Sequence, residues 1–138
     1  MTLIIDAAPL VALPDKGDPM AARVAEILAS EPGELVLPAP ISAEVDYLLG
    51  ARFHSSARRA FLADLAAGRY QVAALAPEDY ATVVSLEARY PDQELGLADC
   101  SAIVLARRFA TRRILTFDER HFRTVEPLQG GAFEILPS

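Results

Sequence analysis

Four carboxylates in the sequence occupy positions where the chain changes from one predicted element to the next. Asp6 ends a short apolar run and Asp118 lies just past another, so both follow predicted strands. Glu44 and Asp99 each lie in the first turn of a predicted helix. Open parallel α/β sheets bind their ligands beyond the carboxyl ends of the strands. We therefore expect the four carboxylates to face one another at one edge of a sheet.

Such a cluster requires a cation. Asp99 opens a helix whose other residues are almost all apolar, and an ionised carboxylate there is costly unless a positive charge meets it. Helix dipoles stabilise Glu44 and Asp99 only in part. No histidine or cysteine stands among the four acids, and hard oxygen ligands suit Mg²⁺ or Mn²⁺ better than zinc. Such metals bind substrate phosphates, as in phosphodiester hydrolysis.

Each acid also has a purely structural interpretation. Asp6 is suited to cap the turn that follows it, and Asp118 to form a turn of its own. Glu44 competes with Asp46, which points to a different helix face, so Glu44 could simply be solvated. The hypothesis of a site therefore depends on the convergence of the four acids at one edge, since each signal alone is weak.

Two residue types near Asp118 could contact a substrate. His121 follows it by three residues, where it could reach a scissile phosphate or pack beside Phe122. Arg120 belongs to a group of arginines that could receive RNA phosphates in bidentate pairs or pair with the protein's own acids. The other members of this group are Arg107, Arg108, Arg112, Arg113 and Arg123. The sequence leaves both alternatives open.

The composition limits the class of protein. Of the 138 residues 52% are hydrophobic, and the formal charge of −6 argues against a domain that grips nucleic acid by bulk basicity. It does not exclude a nuclease whose metal supplies the positive charge. Residues 1–13 are apolar, but Asp6 splits them and the run is too short to span a bilayer. The single cysteine, Cys100, excludes an internal disulfide, and we expect it to be buried and the protein to be cytoplasmic.

Short apolar runs alternate with helical patterns along the chain. We predict strands at residues 3–5, 35–37, 70–75 and 114–117, and an edge strand at 133–136. Helices are predicted at residues 8–13, 19–30, 43–51, 55–67, 77–90 and 97–109, with Asp18 capping the second and Ser42 the third. This alternation is typical of the α/β class. It predicts a single three-layer α/β/α domain over residues 1–138 with a short, mainly parallel sheet.

Four stretches of the sequence contain the acids in a recognisable pattern. They are Leu3-Ile4-Ile5-Asp6, Ser42-Ala43-Glu44, Leu97-Ala98-Asp99, and Leu115-Thr116-Phe117-Asp118 with His121-Phe122 just beyond. These stretches resemble the four acidic motifs of PIN-domain nucleases. The length of the chain and the motif spacing resemble the VapC-type toxins of toxin–antitoxin pairs. The resemblance covers essentially the whole chain, and the last two motifs together are its most specific part.

The resemblance implies a PIN-like fold and an RNA-cleaving activity. It matches Asp6, Glu44, Asp99 and Asp118 to the family's metal-binding catalytic acids, and we assign the Mg²⁺ or Mn²⁺ ion to Asp6, Asp99 and Asp118. Thr116 matches a threonine that is frequent two residues before the last Asp of the family. The resemblance also implies an RNA substrate, a homodimer and a cognate antitoxin that holds the enzyme inactive.

One departure from the family pattern concerns the residues after the first Asp. The family commonly has Thr and Ser there, whereas this chain has Ala7 and Ala8. A hydroxyl that could bind a metal water or a phosphate is therefore missing. The departure keeps an alternative open, in which the chain is a catalytically weak or inactive PIN-like domain that binds RNA or an antitoxin.

Two other classes of α/β domain with acids at strand ends fit the sequence poorly. A phosphorylation-regulated receiver needs a lysine after its last strand, and Lys16 is the only lysine in the chain. A phosphatase with a carboxylate nucleophile needs a second Asp two residues after the first, where this chain has Ala8. The metal-dependent ribonuclease therefore remains the leading hypothesis.

Overall fold

Five short strands form the centre of the fold, and every neighbouring pair runs parallel. The computed structural model describes all residues from Met1 to Ser138. The strands lie in the order β3-β2-β1-β4-β5. Their bounds are β1 Leu3–Ile5, β2 Leu35–Pro38, β3 Gln71–Ala73, β4 Arg113–Leu115 and β5 Glu134–Leu136. The predicted α/β class and the predicted edge strand are confirmed, and the sheet is parallel throughout.

Seven helices connect the strands and cover the sheet. Their bounds are α1 Ala7–Ala12, α2 Ala21–Ser30, α3 Ala39–Arg52, α4 Ser55–Ala66, α5 Asp79–Arg89, α6 Leu97–Arg108 and α7 Glu119–Thr124. Strand β1 is apolar throughout and fully buried, as expected for a parallel strand with both faces covered. Its residues belong to one hydrophobic core that also takes in the apolar faces of the helices. None of the helices combines the length and the apolar character needed to cross a membrane.

The strand order changes direction beside β1. From β1 the chain passes outward through β2 to β3, and it then returns to the other side of β1 with β4 and β5. The right-handed rule for parallel crossovers predicts that α1 to α4 lie on one face of the sheet and α5 to α7 on the other. Ile5 lies opposite Leu115, so the carboxyl ends of β1 and β4 adjoin at this switch point. Ligand sites in open α/β sheets form at such a place.

Helix α3 begins earlier than predicted, and this changes the position of Glu44. The first helical residue is Ala39, and the helix follows β2 without a loop. Pro40 has no backbone N–H, and it is tolerated because the N–H groups in the first turn of a helix have no acceptor within the helix. Ser42 is not the N-cap, since its hydroxyl donates to the carbonyl of Ala39 at 2.7 Å. Glu44 therefore lies in the second turn, and its predicted place in the first turn, beside the positive end of the helix dipole, was wrong.

Other element boundaries differ by a few residues. The third strand is limited to residues 71–73, and the fourth ends at Leu115 instead of continuing to residue 117. Helix α2 begins at Ala21, because Asp18 accepts the backbone N–H of Met20 at 2.8 Å in the preceding turn. The short helix α7 was not predicted. Asp118 is its N-cap, so the last acidic motif lies at the start of a helix and not in a loop.

An ion pair ties β4 to the segment before β2. Arg113 donates to both carboxylate oxygens of Glu31, from Nη1 to Oε2 at 2.8 Å and from Nη2 to Oε1 at 2.7 Å. The Glu31 side chain is 3% exposed, so solvent screens this bidentate pair little. The hydrogen bonds from Arg113 lower the pKa of Glu31 below its ordinary value.

We expect Glu31→Gln to lower the free energy of unfolding by about 2 kcal/mol at pH 7, because it removes the bidentate partner of Arg113 and leaves only the exposed Glu134, 3.7 Å from Nε, as its counter-charge. A lowered pKa means that the unfolded state binds more protons, so the wild-type contribution is complete above about pH 4.5 and is lost as pH falls through the folded pKa. Urea unfolding at pH 7 and at acidic pH measures this. Glu34→Gln, an exposed acid of the same segment, is the control. An equal loss at both pH values would contradict the prediction.

Candidate active site

Asp6 leaves the end of β1 with both carboxylate oxygens engaged. Oδ1 accepts the backbone N–H of Ala7 at 2.8 Å, so Asp6 does cap α1. Oδ2 accepts the hydroxyl of Thr116 at 2.7 Å. Burial raises the pKa of the Asp6 carboxyl despite these bonds, and the charge of Asp118 raises it further. A capping role and a place in the site are therefore compatible for this residue.

Thr116 connects the two strand ends at the switch point. Its side chain is buried, and besides donating to Asp6 it accepts the backbone N–H of Asp118 at 2.9 Å. Its own N–H donates to the carbonyl of Leu136 in β5 at 2.9 Å. One hydroxyl thus orients the Asp6 carboxylate and fixes the turn that presents Asp118.

His121 lies between two of the carboxylates. Its backbone N–H donates to Oδ1 of Asp118 at 3.1 Å, which caps α7. Its ring Nδ1 is 2.7 Å from Oδ2 of Asp118 and 3.4 Å from Oδ2 of Asp99. Both ring nitrogens are closed to solvent, so in this conformation the imidazole faces the carboxylates and presents neither nitrogen to an open surface.

Asp99 lies in the first turn of α6, as predicted. The backbone N–H of Gly96 reaches its Oδ2 at 3.4 Å. Burial raises the pKa of the Asp99 carboxyl, the charges of Asp6 and Asp118 add to the rise, and His121 opposes it. The next residue, Cys100, is fully buried as predicted, and burial raises the pKa of its thiol to about 11.

Glu44 lies at the rim of the same region. Asp46 turns away from it and pairs with Arg58, with Nε and Oδ1 2.7 Å apart, so Glu44 is the acid of α3 that faces the sheet edge. Partial burial raises the pKa of the Glu44 carboxyl, and the charges of Asp6 and Asp99 raise it further. The side chain stays exposed and has no hydrogen bond to the other three acids.

Together the four acids line one open depression of about 560 Å³. Of the other residues that shape it, Gly96 has no predicted role, and Ala98 and Phe117 are predicted only as members of the acidic motifs. Gly96 contributes the N–H that meets Asp99, and Ala8, Ala98 and Phe117 form apolar parts of the wall. The only sequence signal for Gly96 is a glycine immediately before a helix, which by itself indicates a cap.

The donor atoms in this depression fit a hard divalent cation. One ligand atom from each of Asp99, Asp118 and His121 lies within 4.8 Å of the others. His121 lies beside the depression and not in its lining, and this group of three does not include the predicted ligand Asp6 or Glu44. No arginine or lysine pairs with any of the four acids. Burial raises the pKa of Asp6, Glu44 and Asp99, and repulsion from other acids of the cluster raises it further. Carboxylate oxygens are the ligands that Mg²⁺ and Mn²⁺ prefer. The cluster therefore has the charge and the chemistry that such an ion would complement.

Arg120 lies outside this arrangement. Its side chain is exposed and forms no ion pair with the four acids. Most of the other arginines in this group form ion pairs or hydrogen bonds within the protein. This favours the interpretation that they stabilise the fold and do not bind RNA phosphates. Arg108 pairs with Asp79, Arg113 with Glu31 and Arg123 with Glu119, and Arg112 donates to the carbonyls of Gly130 and Gln129.

The fold and the site together define a PIN-like domain, with acids from separate segments at the switch point of a parallel sheet. No protein-family model matches the chain. Ribonuclease VapC26 from Mycobacterium tuberculosis is 37% identical over 135 residues, which cover 98% of this chain and 100% of that protein. The chain therefore belongs to the VapC family of ribonucleases.

Two known structures have the same fold. One is VapC20 from Mycobacterium tuberculosis, a toxin that cleaves the sarcin–ricin loop, with a TM-score of 0.78 and 19% identity over 86% of this chain and 91% of that one. The other is VapBC2 from Rickettsia felis bound to a DNA fragment of its promoter, with a TM-score of 0.71 and 14% identity over 98% of both chains. Both likenesses confirm the PIN-like α/β architecture.

Proposed function

We propose that this chain is the toxin of a toxin–antitoxin pair, an endoribonuclease that hydrolyses RNA phosphodiester bonds with Mg²⁺ or Mn²⁺. Residues 1–138 form one nuclease domain in this proposal. The observation that carries it is the convergence of Asp6, Glu44, Asp99 and Asp118 from four separate segments on one depression without a lysine or arginine partner. The identity to VapC26 supports RNA as the substrate, and an RNA substrate implies action in the cytoplasm.

In this proposal Asp6, Asp99 and Asp118 hold the cation. These residues would hold a divalent ion, which when bound would activate a water and stabilise the charge on the scissile phosphate. Thr116 keeps Oδ2 of Asp6 in place, since ligating carboxylates bind best when a hydrogen bond fixes them. His121 contacts Asp99 and Asp118 and limits the rotation of both carboxylates.

Glu44 has the environment of a general base. Burial and the charges of Asp6 and Asp99 raise its pKa, which is the direction that makes a carboxylate a better proton acceptor. Its exposed position at the rim leaves a carboxylate oxygen free to accept a proton from the attacking water. The bond from phosphorus to the 3′ or 5′ oxygen then breaks, and the leaving oxygen takes up a proton from solvent, which completes the hydrolysis.

The direct test is RNA cleavage by the purified protein in Mg²⁺, in Mn²⁺ and in chelator. We expect products only with a divalent ion. Unchanged cutting in excess chelator would contradict the mechanism. Binding of RNA without cutting under every metal condition would instead favour the alternative of a non-cleaving PIN-like domain.

We expect Thr116→Val to reduce metal affinity or cleavage rate by about 10- to 100-fold, the usual cost of losing a group that orients metal ligands. Valine keeps the shape of threonine but leaves Oδ2 of Asp6 without its donor and the N–H of Asp118 without its acceptor. Titration with Mn²⁺ and single-turnover cleavage measure the two quantities. Thr124→Val is the control, because that hydroxyl bonds only to a carbonyl of its own helix. Equal behaviour of the two variants would contradict the role of Thr116.

We also infer that the protein forms a homodimer and binds a cognate antitoxin. Large apolar side chains remain exposed on α5, where Tyr80 is 49% and Val84 is 69% exposed. Such surface is typical of interaction sites. Light scattering at micromolar concentration should give the mass of a dimer, and Val84→Asp should give a monomer. A monomeric wild type without a bound partner on co-expression would contradict this inference.

A further inference from the structure

A second depression continues from the acidic one along the surface. It has a volume of about 390 Å³ and shares Ala7, Ala8, Glu44 and Phe117 with the acidic depression. The two depressions therefore form one continuous surface. An RNA strand whose phosphate lies at the carboxylates can continue directly into the second depression. We call this second depression the side groove.

The walls of the side groove are mainly apolar. Val11, Leu48 and Phe53 line it together with Phe117, and these side chains rest on the hydrophobic core. Ala8 stands at the junction of the two depressions, where the family pattern has a hydroxyl residue. An apolar wall with aromatic members suits a flat, unstacked nucleobase, because every base offers a π-face for stacking.

The polar groups of the side groove are few and specifically held. Asp15 and Asp18 line it, and each has one oxygen fixed by a turn: Oδ1 of Asp15 accepts the N–H of Gly17 at 3.0 Å, and Oδ1 of Asp18 accepts that of Met20 at 2.8 Å. Oδ2 of each carboxylate has no hydrogen bond within the protein. Arg52 lines the groove as well, is exposed and has no ion pair.

We propose that the side groove binds one unstacked nucleobase of a single-stranded RNA, in the nucleotide next to the cleaved bond, and selects bases that carry an amino group. The inference rests on the proposed ribonuclease function. The base stacks on Phe53 or Phe117, and Arg52 receives the phosphate beyond it. Carboxylate oxygens accept hydrogen bonds from the amino groups of cytosine, adenine or guanine. Uracil has no amino group, and its only donor on that edge, N3–H, lies between two carbonyl oxygens that the same carboxylates repel.

The first experiment maps cleavage sites on a mixed-sequence RNA in Mn²⁺. We expect uracil to be depleted at one position beside the cut. Asp15→Asn should weaken this discrimination, because an amide keeps the turn and offers both a donor and an acceptor. Phe53→Leu, which keeps the apolar volume, and Arg52→Gln should each raise KM by about fivefold or more with kcat little changed. Arg59→Gln on the surface of α4 is the matched control for charge.

A second experiment separates failure of this inference from failure of the proposed function. Amide resonances of ¹⁵N-labelled wild type are followed in chelator while RNA tetranucleotides, CCCC or UUUU, are added. We expect shifts at Ala8, Ala12 and Phe53, and larger ones with CCCC. If no RNA is cut in any metal but these shifts appear, the ribonuclease proposal fails and the side groove stands.

Three results would overturn the nucleobase assignment. One is cleavage without base preference on either side of the cut together with wild-type KM in Phe53→Leu and Arg52→Gln. Another is the absence of shifts at the groove with both tetranucleotides. The third is that the amide resonances of the groove change only with a co-expressed protein partner and with neither tetranucleotide. The groove would then bind a peptide segment of that partner.

Discussion

Replacement of Asp99 by asparagine should reduce RNA cleavage about a thousandfold. The amide cannot carry the charge that a divalent cation requires, and the loss of several kcal/mol of electrostatic stabilisation corresponds to a factor of this size. Asp99 lies among buried neighbours, so solvent does not take over its role. The nearby Asp6 and Asp118 already contribute their own charges and cannot also supply the one that is lost. Single-turnover cleavage at saturating Mn²⁺ measures the effect.

The matched control is Asp92→Asn, which neutralises an exposed acid in the short 3₁₀ turn before α6. It changes the net charge by the same amount and should leave cleavage within about twofold, since exposed surface charges contribute little. Both variants should remain folded by circular dichroism. Activity in Asp99→Asn close to that of wild type would remove Asp99 from the reaction.

The second prediction concerns stability, and here Asp99→Asn should act in the opposite direction. The pKa of Asp6, Glu44 and Asp99 is raised in the folded state, by burial first and also by repulsion from other acids of the cluster, which for Asp6 is Asp118. Between the unfolded and the folded pKa the native state therefore binds more protons than the unfolded state. Metal-free stability consequently falls as pH rises from about 4 through the folded pKa values. Neutralising Asp99 removes part of this loss, so the metal-free variant should melt higher than wild type at pH 7.

Mn²⁺ should reverse that order. A ligand at a hundredfold excess over Kd stabilises the folded state by about 2.7 kcal/mol, which is roughly 10 °C for a domain of this size. The variant should gain much less. Thermal melts of both proteins in chelator and in Mn²⁺, at pH 5 and pH 7, measure the effect. A lower melting temperature of the variant in chelator, or an equal response to Mn²⁺, would make Asp99 a structural residue.

Much of this fold follows from local patterns. The buried strands are short apolar runs, and Asp6 and Asp99 are where their sequence context predicts, because strand ends and helix starts have clear signals. Thr116 could be proposed only from the family resemblance. Its hydrogen bond to Asp6 joins residues 110 positions apart, and no periodicity in the sequence reports such a contact.

The errors also have physical causes. Ser42 is typical of an N-cap, but β2 leads directly into α3 and the prolines fit the first turn, so the helix begins before the serine. The side groove was missed because Asp15, Arg52 and Phe53 come from a loop and a distant helix end. The contact of His121 with Asp99 depends on how α7 meets α6, which is decided by tertiary packing.

The central position of β1 has a consequence for biosynthesis. The strand that bears Asp6 is made first, yet its neighbour β4 and the turn with Asp118 follow more than a hundred residues later, and Thr116 is held in turn by Leu136. During translation the early segments, including α1 to α4, can collapse on β1 and β2 while the gap beside β1 stays open. A ribosome-bound chain therefore carries Asp6 and Glu44 without the groups that complete the site. The site is therefore assembled only after the late segment has left the ribosome and Thr116 can meet both Asp6 and Leu136.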